Sequence, residues 1–176
     1  MSCFTMALFL ALGATAFGQT NTPTLQNLKE AIETDQRIWV KYRSFQPDPL
    51  HTCTYVQSVK PTVATYEFEQ HFKQGQTPMQ THLYGYVSNG EDNEPVLTIK
   101  NTTGSPGVAF TLRYWDSSVK CGILTFRNQK EGREECEMHV WNDYIQSQSR
   151  GLHLCEQELD YLCSGRKYGT YRPDCS

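Results

Sequence analysis

The stretch 107–142, GVAFTLRYWDSSVKCGILTFRNQKEGREECEMHVWN, decides the fold. In its segments 107–115, 119–127 and 134–142, β-branched and aromatic residues alternate with polar or small ones at a period of two. That is the pattern of strands with two unlike faces. The intervening WDSS and QKEGRE are turn-rich breaks. The pattern continues upstream as far as Arg37, giving strands near 37–45, 51–59, 62–73, 79–88 and 94–100. Their separators are QPDP, KPT, KQGQTP, SNGEDNEP and NTTGSPG. Eight sequential strands on short turns predict an antiparallel up-and-down meander, and closing it into a barrel removes both exposed edges. A barrel of eight strands has an interior wide enough for one small ligand.

Two helices flank the strands. Leu25, Leu28 and Ile32 recur at helical spacing, with Thr22 and Pro23 placed as cap and first turn. Leu152, Cys155, Leu159 and Leu162 share one face of a second helix, which Gly165 can terminate and which is expected to lie outside the barrel. Ahead of all this, MSCFTMALFLALGATAFG carries no charge and ends in small residues. It reads as a signal peptide, residues 1–18, leaving 19–176 as a single domain. Its apolar run is shorter than the ~20 residues of a membrane span. Cys53, Cys121, Cys136, Cys155, Cys163 and Cys175 remain, an even set that predicts disulfides in a secreted chain. Six cysteines allow ~15 pairings.

Lys plus Arg number 16 against 19 Asp plus Glu, a net charge of −3 that gives no reason to expect nucleic-acid binding. The cluster of Arg166, Lys167 and Arg172 reads as a solvated tail. Asn101-Thr102-Thr103 is a glycosylation sequon in a turn-rich loop. His51, His71, His82, His139 and His153 lack metal-ligand spacing, so no metal is expected. No nucleophile elbow or phosphate-binding loop is present, the cysteines are committed to bridges, and the carboxylates form no readable acid/base pair. The expectation is a binding protein with no catalytic residues and no cofactor.

His51-Thr52-Cys53, Leu83-Tyr84-Gly85-Tyr86, Cys121-Gly122-Ile123-Leu124, Glu137, Cys155 and Asp174-Cys175, in that order and spacing, resemble the tick salivary lipocalins of the histamine-binding family. The resemblance covers nearly the whole mature chain. The Gly-x-Trp signature of vertebrate lipocalins is missing, with Arg37-Ile38-Trp39 in its place. The family pairing implies bridges Cys53–Cys175, Cys121–Cys155 and Cys136–Cys163. If Cys121 and Cys136 are tied to an outer helix, alternation turns Gly122, Leu124 and Phe126 inward on one strand, and Glu137, His139 and Trp141 on the next. Met138 and Val140 then pack beneath the helix. Apolar faces of Ile38, Val40 and Tyr42, of Tyr66, Phe68 and Phe72, and of Phe110, Leu112 and Tyr114 are expected to complete the wall, although such faces equally suit ordinary core.

Amine-binding members resemble a pattern of Cys-Asp-aliphatic followed by Glu-Leu-aromatic. Here Gly122 stands at the Asp, Met138 at the Leu and His139 at the aromatic, so only Glu137 carries over. One carboxylate makes a poor cage for a buried cation. The resemblance therefore implies a salivary, extracellular and monomeric protein whose barrel takes a small hydrophobic ligand such as a sterol, fatty acid or eicosanoid. Glu137 or His139 would orient its polar end, or the two would form a self-satisfied polar pair. Chain size, three bridges and the missing Asp point to the japanin-like group, which the resemblance associates with cholesterol and with modulation of host dendritic cells. Two alternatives stand beside this reading. One is scavenging of histamine or serotonin. The other is a scaffold that meets a host immune-cell protein or complement through the loops 88–95 and 101–107.

Overall fold

The computed structural model describes residues 22–47, 49–61 and 65–175, so the leader and its cut lie outside the described residues. Helix α1, Leu25–Ile32, is opened by Thr24, two residues later than Thr22: the Asn27 amide donates to the Thr24 hydroxyl at 3.2 Å, and the Thr24 amide donates to Asn27 Oδ1 at 2.9 Å. This reciprocal cap satisfies amides that the first turn leaves unpaired.

Eight strands follow: β1 Ile38–Arg43, β2 His51–Pro61, β3 Tyr66–Gln74, β4 Thr77–Asn89, β5 Pro95–Lys100, β6 Val108–Asp116, β7 Cys121–Arg127 and β8 Glu134–Trp141. Each pairs antiparallel with the next, and β1 pairs with both β8 and β2, which closes the barrel. Helix α2, Arg150–Leu162, packs outside on β6, β7 and β8. A two-residue strand, β9 (Tyr168–Gly169), too short to carry an alternation, adds to β1 where β1 has parted from β2.

Burial on the outer face concentrates under α2. Ile123, Met138 and Val140 meet Leu152 and Leu159 there, all buried. Each such side chain contributes on the order of 1.5–3 kcal/mol. The same layer holds Cys121–Cys155 and Cys136–Cys163, with Cα atoms 6.5 and 6.2 Å apart, while Cys53–Cys175 returns the chain's end to β2. A second cluster of Leu28, Leu97, Leu112 and Leu124 fills one end of the barrel, where α1 plugs it.

Two bulges alter which residues face inward. In β1 the register shifts between Val40 and Tyr42, and in β6 between Leu112 and Tyr114. An extra residue in one strand reverses alternation beyond it. Tyr42 then pairs with Met138 and Tyr114 with Ile123, so both tyrosines lie in the outer layer under α2 and not in the lumen. In their place Arg43, opposite Glu137, and Trp115, opposite Gly122, turn inward.

The basic cluster after α2 is also not simply solvated. Arg166 reaches Glu135 at 3.0 Å, and Glu135, with no exposed surface, also accepts from Ser44 and Arg133. Burial would push the Glu135 carboxyl up, but the Ser44 and Arg133 hydrogen bonds, with the charges of Arg166 and Arg133, hold it below the usual range. Glu135→Gln is expected to lower stability by about 2 kcal/mol, because a neutral amide would leave Arg166 short of a counter-charge. Urea unfolding measures this, and a midpoint equal to the parent's would contradict it.

Candidate ligand-binding site

The cavity lies inside the barrel, between α1 and the middle layers of the strands. Leu28, Ala31 and Ile32 of α1 form one end. Phe68, Leu97, Ile99, Phe110, Leu112 and Leu124 form much of the wall, together with Ile38 and Val56. Trp115 and Trp141 are held in place through α1: the Trp141 indole donates to the Ala31 carbonyl at 3.0 Å, and that of Trp115 donates to Glu30 at 3.3 Å. Gly122 permits a close approach here, since a Cβ on it would stand 3.3 Å from the Trp115 ring. Gly85 serves Phe68 and Leu97 likewise, with both 3.1 Å from where its Cβ would be.

The cavity volume is about 70 Å3. That is less than the ~150 Å3 of an apolar cavity that admits benzene. A ligand of more than a few heavy atoms therefore enters by turning wall side chains aside. A surface depression of Ile32, Glu33, Thr34, Asp35, Ser58, Val59 and Tyr66 shares Ile32, Ser58 and Tyr66 with the cavity wall, so the mouth lies between the end of α1 and β2–β3. The Tyr66 hydroxyl donates across it to Glu33 at 2.9 Å. Burial, followed by this carboxylate, pushes the Tyr66 phenol up to about 12, so it remains a donor at any physiological pH. Tyr66→Phe is expected to accelerate ligand entry and exit severalfold, measured by stopped-flow fluorescence; unchanged rates would contradict a closing role for this bond.

Three polar groups in the lumen, Arg43, Glu137 and His139, form one chain, and Ser58, Tyr66 and Glu67 also line the cavity. Arg43 Nε donates to Glu137 Oε1 at 2.8 Å, and His139 Nε2 lies 3.0 Å from Glu137 Oε2. Burial would push the Glu137 carboxyl up, but the Arg43 charge and the His139 hydrogen bond bring it down to about 2. It is ionised and already countered. Because its folded pKa lies below the unfolded one, the chain's stabilisation is complete above the unfolded value and is lost as pH falls from about 4.5 toward about 2. The expected loss is about 3 kcal/mol. Acid titration by circular dichroism checks this: Glu137→Gln should flatten stability in that window, and an unchanged acid limb would contradict the assignment.

Of the residues singled out in the sequence, Tyr66, Phe68, Phe110, Leu112, Leu124, Glu137, His139 and Trp141 line this one cavity. Phe126 packs on Phe110 at 4.8 Å and on Phe45 at 5.4 Å, beyond the cavity wall. Tyr42 and Tyr114 lie outside the barrel. Arg43, Trp115 and α1 were not assigned to the lumen. The apolar stripe of α1 was legible without a place for it, whereas nothing in the sequence marks the two bulges. Among the described residues, no group of His, Cys, Asp and Glu could hold a metal ion, and no helix is long and apolar enough to cross a membrane.

The sequence model of one family, described as tick histamine binding protein, matches residues 19–176. The chain belongs to that family. Two solved structures share the lipocalin's fold. A serotonin complex of the protein AM182 has a TM-score of 0.57 at 17% identity, covering 81% of this chain and 86% of the other. Japanin from Rhipicephalus appendiculatus, bound to cholesterol, has a TM-score of 0.55 at 13% identity, covering 81% of this chain and 96% of the other. A search of the curated proteins returned no match. Membership agrees with the closed barrel and the three bridges, and it makes this a tick lipocalin of a ligand-binding family.

Proposed function

We propose that this lipocalin binds one uncharged or nearly uncharged hydrophobic molecule, a sterol or other lipid, in the barrel, and that it acts by binding, not catalysis. The observation that carries the reading is the Arg43–Glu137 ion pair at a mainly apolar lumen, where the other lining carboxylate, Glu67, is over a third exposed and faces His82 at 3.6 Å. A protonated amine needs an uncommitted carboxylate, and Arg43 already occupies the position of the countercation. The wall residues that hold the ligand are Tyr66, Phe68, Phe110, Leu112, Leu124 and Trp141, with Glu137 and His139 at its polar end. Calorimetry tests this: cholesterol is expected to bind and histamine and serotonin are not. Submicromolar amine binding abolished by Glu137→Gln would overturn it.

A second reading, amine scavenging, draws on the mouth, where Glu33 and Asp35 would attract a cation. These carboxylates lie outside the lumen and steer entry without forming a cage. The biological setting is part of the same proposal: secretion into tick saliva as a monomer, with modulation of host immune or inflammatory responses. The start of the family match at residue 19 supports a cut after Gly18, and the three bridges support an oxidising compartment. Asn101 is exposed in the β5–β6 loop, as an acceptor for a glycan must be. That loop and the exposed residues 88–93 are the surface we assign to a host protein.

A further inference from the structure

The polar chain in the lumen does more than neutralise Glu137, because it fixes what hydrogen bond the ligand must make. Glu137 is a carboxylate and can only accept, so the 3.0 Å contact with His139 requires the imidazole proton to be on Nε2. In the neutral ring the proton is then absent from Nδ1, which is left as a bare acceptor. Among the described residues, no hydrogen bond reaches Nδ1. The residues opposite His139 are Val40 on β1 and Gly122 on β7, neither of which has a side-chain donor. Of the other donors on the wall, the Trp115 and Trp141 indoles bond α1 and the Tyr66 hydroxyl bonds Glu33, while the Ser58 hydroxyl lies at the mouth, in the depression that Tyr66 and Glu33 also line.

We infer that His139 is a specificity-determining residue whose Nδ1 accepts a hydrogen bond from the ligand, so that the barrel selects a hydrophobic alcohol over the matching ketone, ether or carboxylate. This rests on the lipid reading given above and narrows it. A ketone or ether can only accept and would set one lone pair against another. An ionised carboxylate would do the same and would also face Glu137. An ammonium can donate, but it brings a second cation beside Arg43, whose carboxylate partner Glu137 is already bound. An alcohol donates without charge.

The test compares three sterol probes, cholesterol, its 3-keto analogue and its 3-methyl ether, with arachidonate and serotonin beside them, on the purified secreted protein at pH 8. Cholesterol is expected to bind about tenfold more tightly than either analogue, as one net hydrogen bond allows. His139→Phe should reduce cholesterol to the affinity of the ether and leave the ether unchanged. His139→Gln, which can donate to Glu137 through its amide nitrogen and accept through its oxygen, should restore most of the preference. Equal binding of all three probes by the parent protein would overturn the inference and leave the lipid reading intact. Tighter binding of arachidonate than of cholesterol would overturn it in favour of an anion site at Arg43. Failure of every lipid probe together with tight serotonin binding would overturn the lipid reading itself.

Discussion

Arg43→Met should destabilise the protein by about 3–5 kcal/mol and, in the same step, give the lumen a higher affinity for serotonin than the parent's. Both effects come from Glu137. With Arg43 present, the carboxylate is ionised, buried and paired at 2.8 Å. Without it, a charge is left in an apolar cavity with only His139 beside it, a loss that methionine's volume does not offset. An incoming ammonium would restore the missing charge, so the variant should regain stability on addition of serotonin, read as a rise in Tm with ligand concentration. A variant that unfolds at the parent's denaturant midpoint, or that gains no stability from serotonin, would contradict this account of Glu137.

Replacing Cys53 and Cys175 together by serine should cost about 5 kcal/mol, the largest effect of the three bridges. The pair is separated by 122 residues in sequence, against 34 and 27 for the other two. In the chain-entropy account the benefit grows with the logarithm of the loop, so these shorter bridges contribute about 4 kcal/mol or less each. The first bridge also holds the terminal segment on the barrel beside β9: the Cys53 amide donates to the Thr170 carbonyl at 2.8 Å, and the Thr170 hydroxyl donates to Val40. Thermal unfolding of the double-serine variant is expected to fall by at least 10 °C. A smaller drop than that seen on removing Cys136–Cys163 would contradict the ordering.

The barrel was legible because every strand carries its alternation and every break its turn residues, so strand positions and order followed from local chemistry. Inward and outward faces were legible only where an external constraint fixed parity. On β7 and β8 the bridges to α2 supplied it, and Leu124, Glu137, His139 and Trp141 face the cavity as alternation requires. On β1 and β6 no bridge acts, and the bulges at Lys41 and Arg113 reverse the pattern partway along. The gain from each bulge is tertiary. Lys41 reaches Glu156 on α2 at 2.7 Å, while Arg43 reaches Glu137 inside. Arg113 turns outward to Glu94 and Thr125, while Trp115 joins the wall. Partners far apart in sequence decide this, so local alternation placed Tyr42 and Tyr114 on the wrong face and missed the arginine that sets the charge of the site.

Barrels of this fold hold serotonin in the AM182 structure and cholesterol in the japanin structure, and the proposed choice between such ligands rests on the residues lining this lumen. The most direct measurement is organic extraction and mass spectrometry of the protein purified from a eukaryotic secretory host. The account predicts one uncharged lipid per chain, displaced stoichiometrically by added cholesterol. Recovery of no lipid, together with submicromolar binding of histamine or serotonin that Glu137→Gln abolishes, would contradict it.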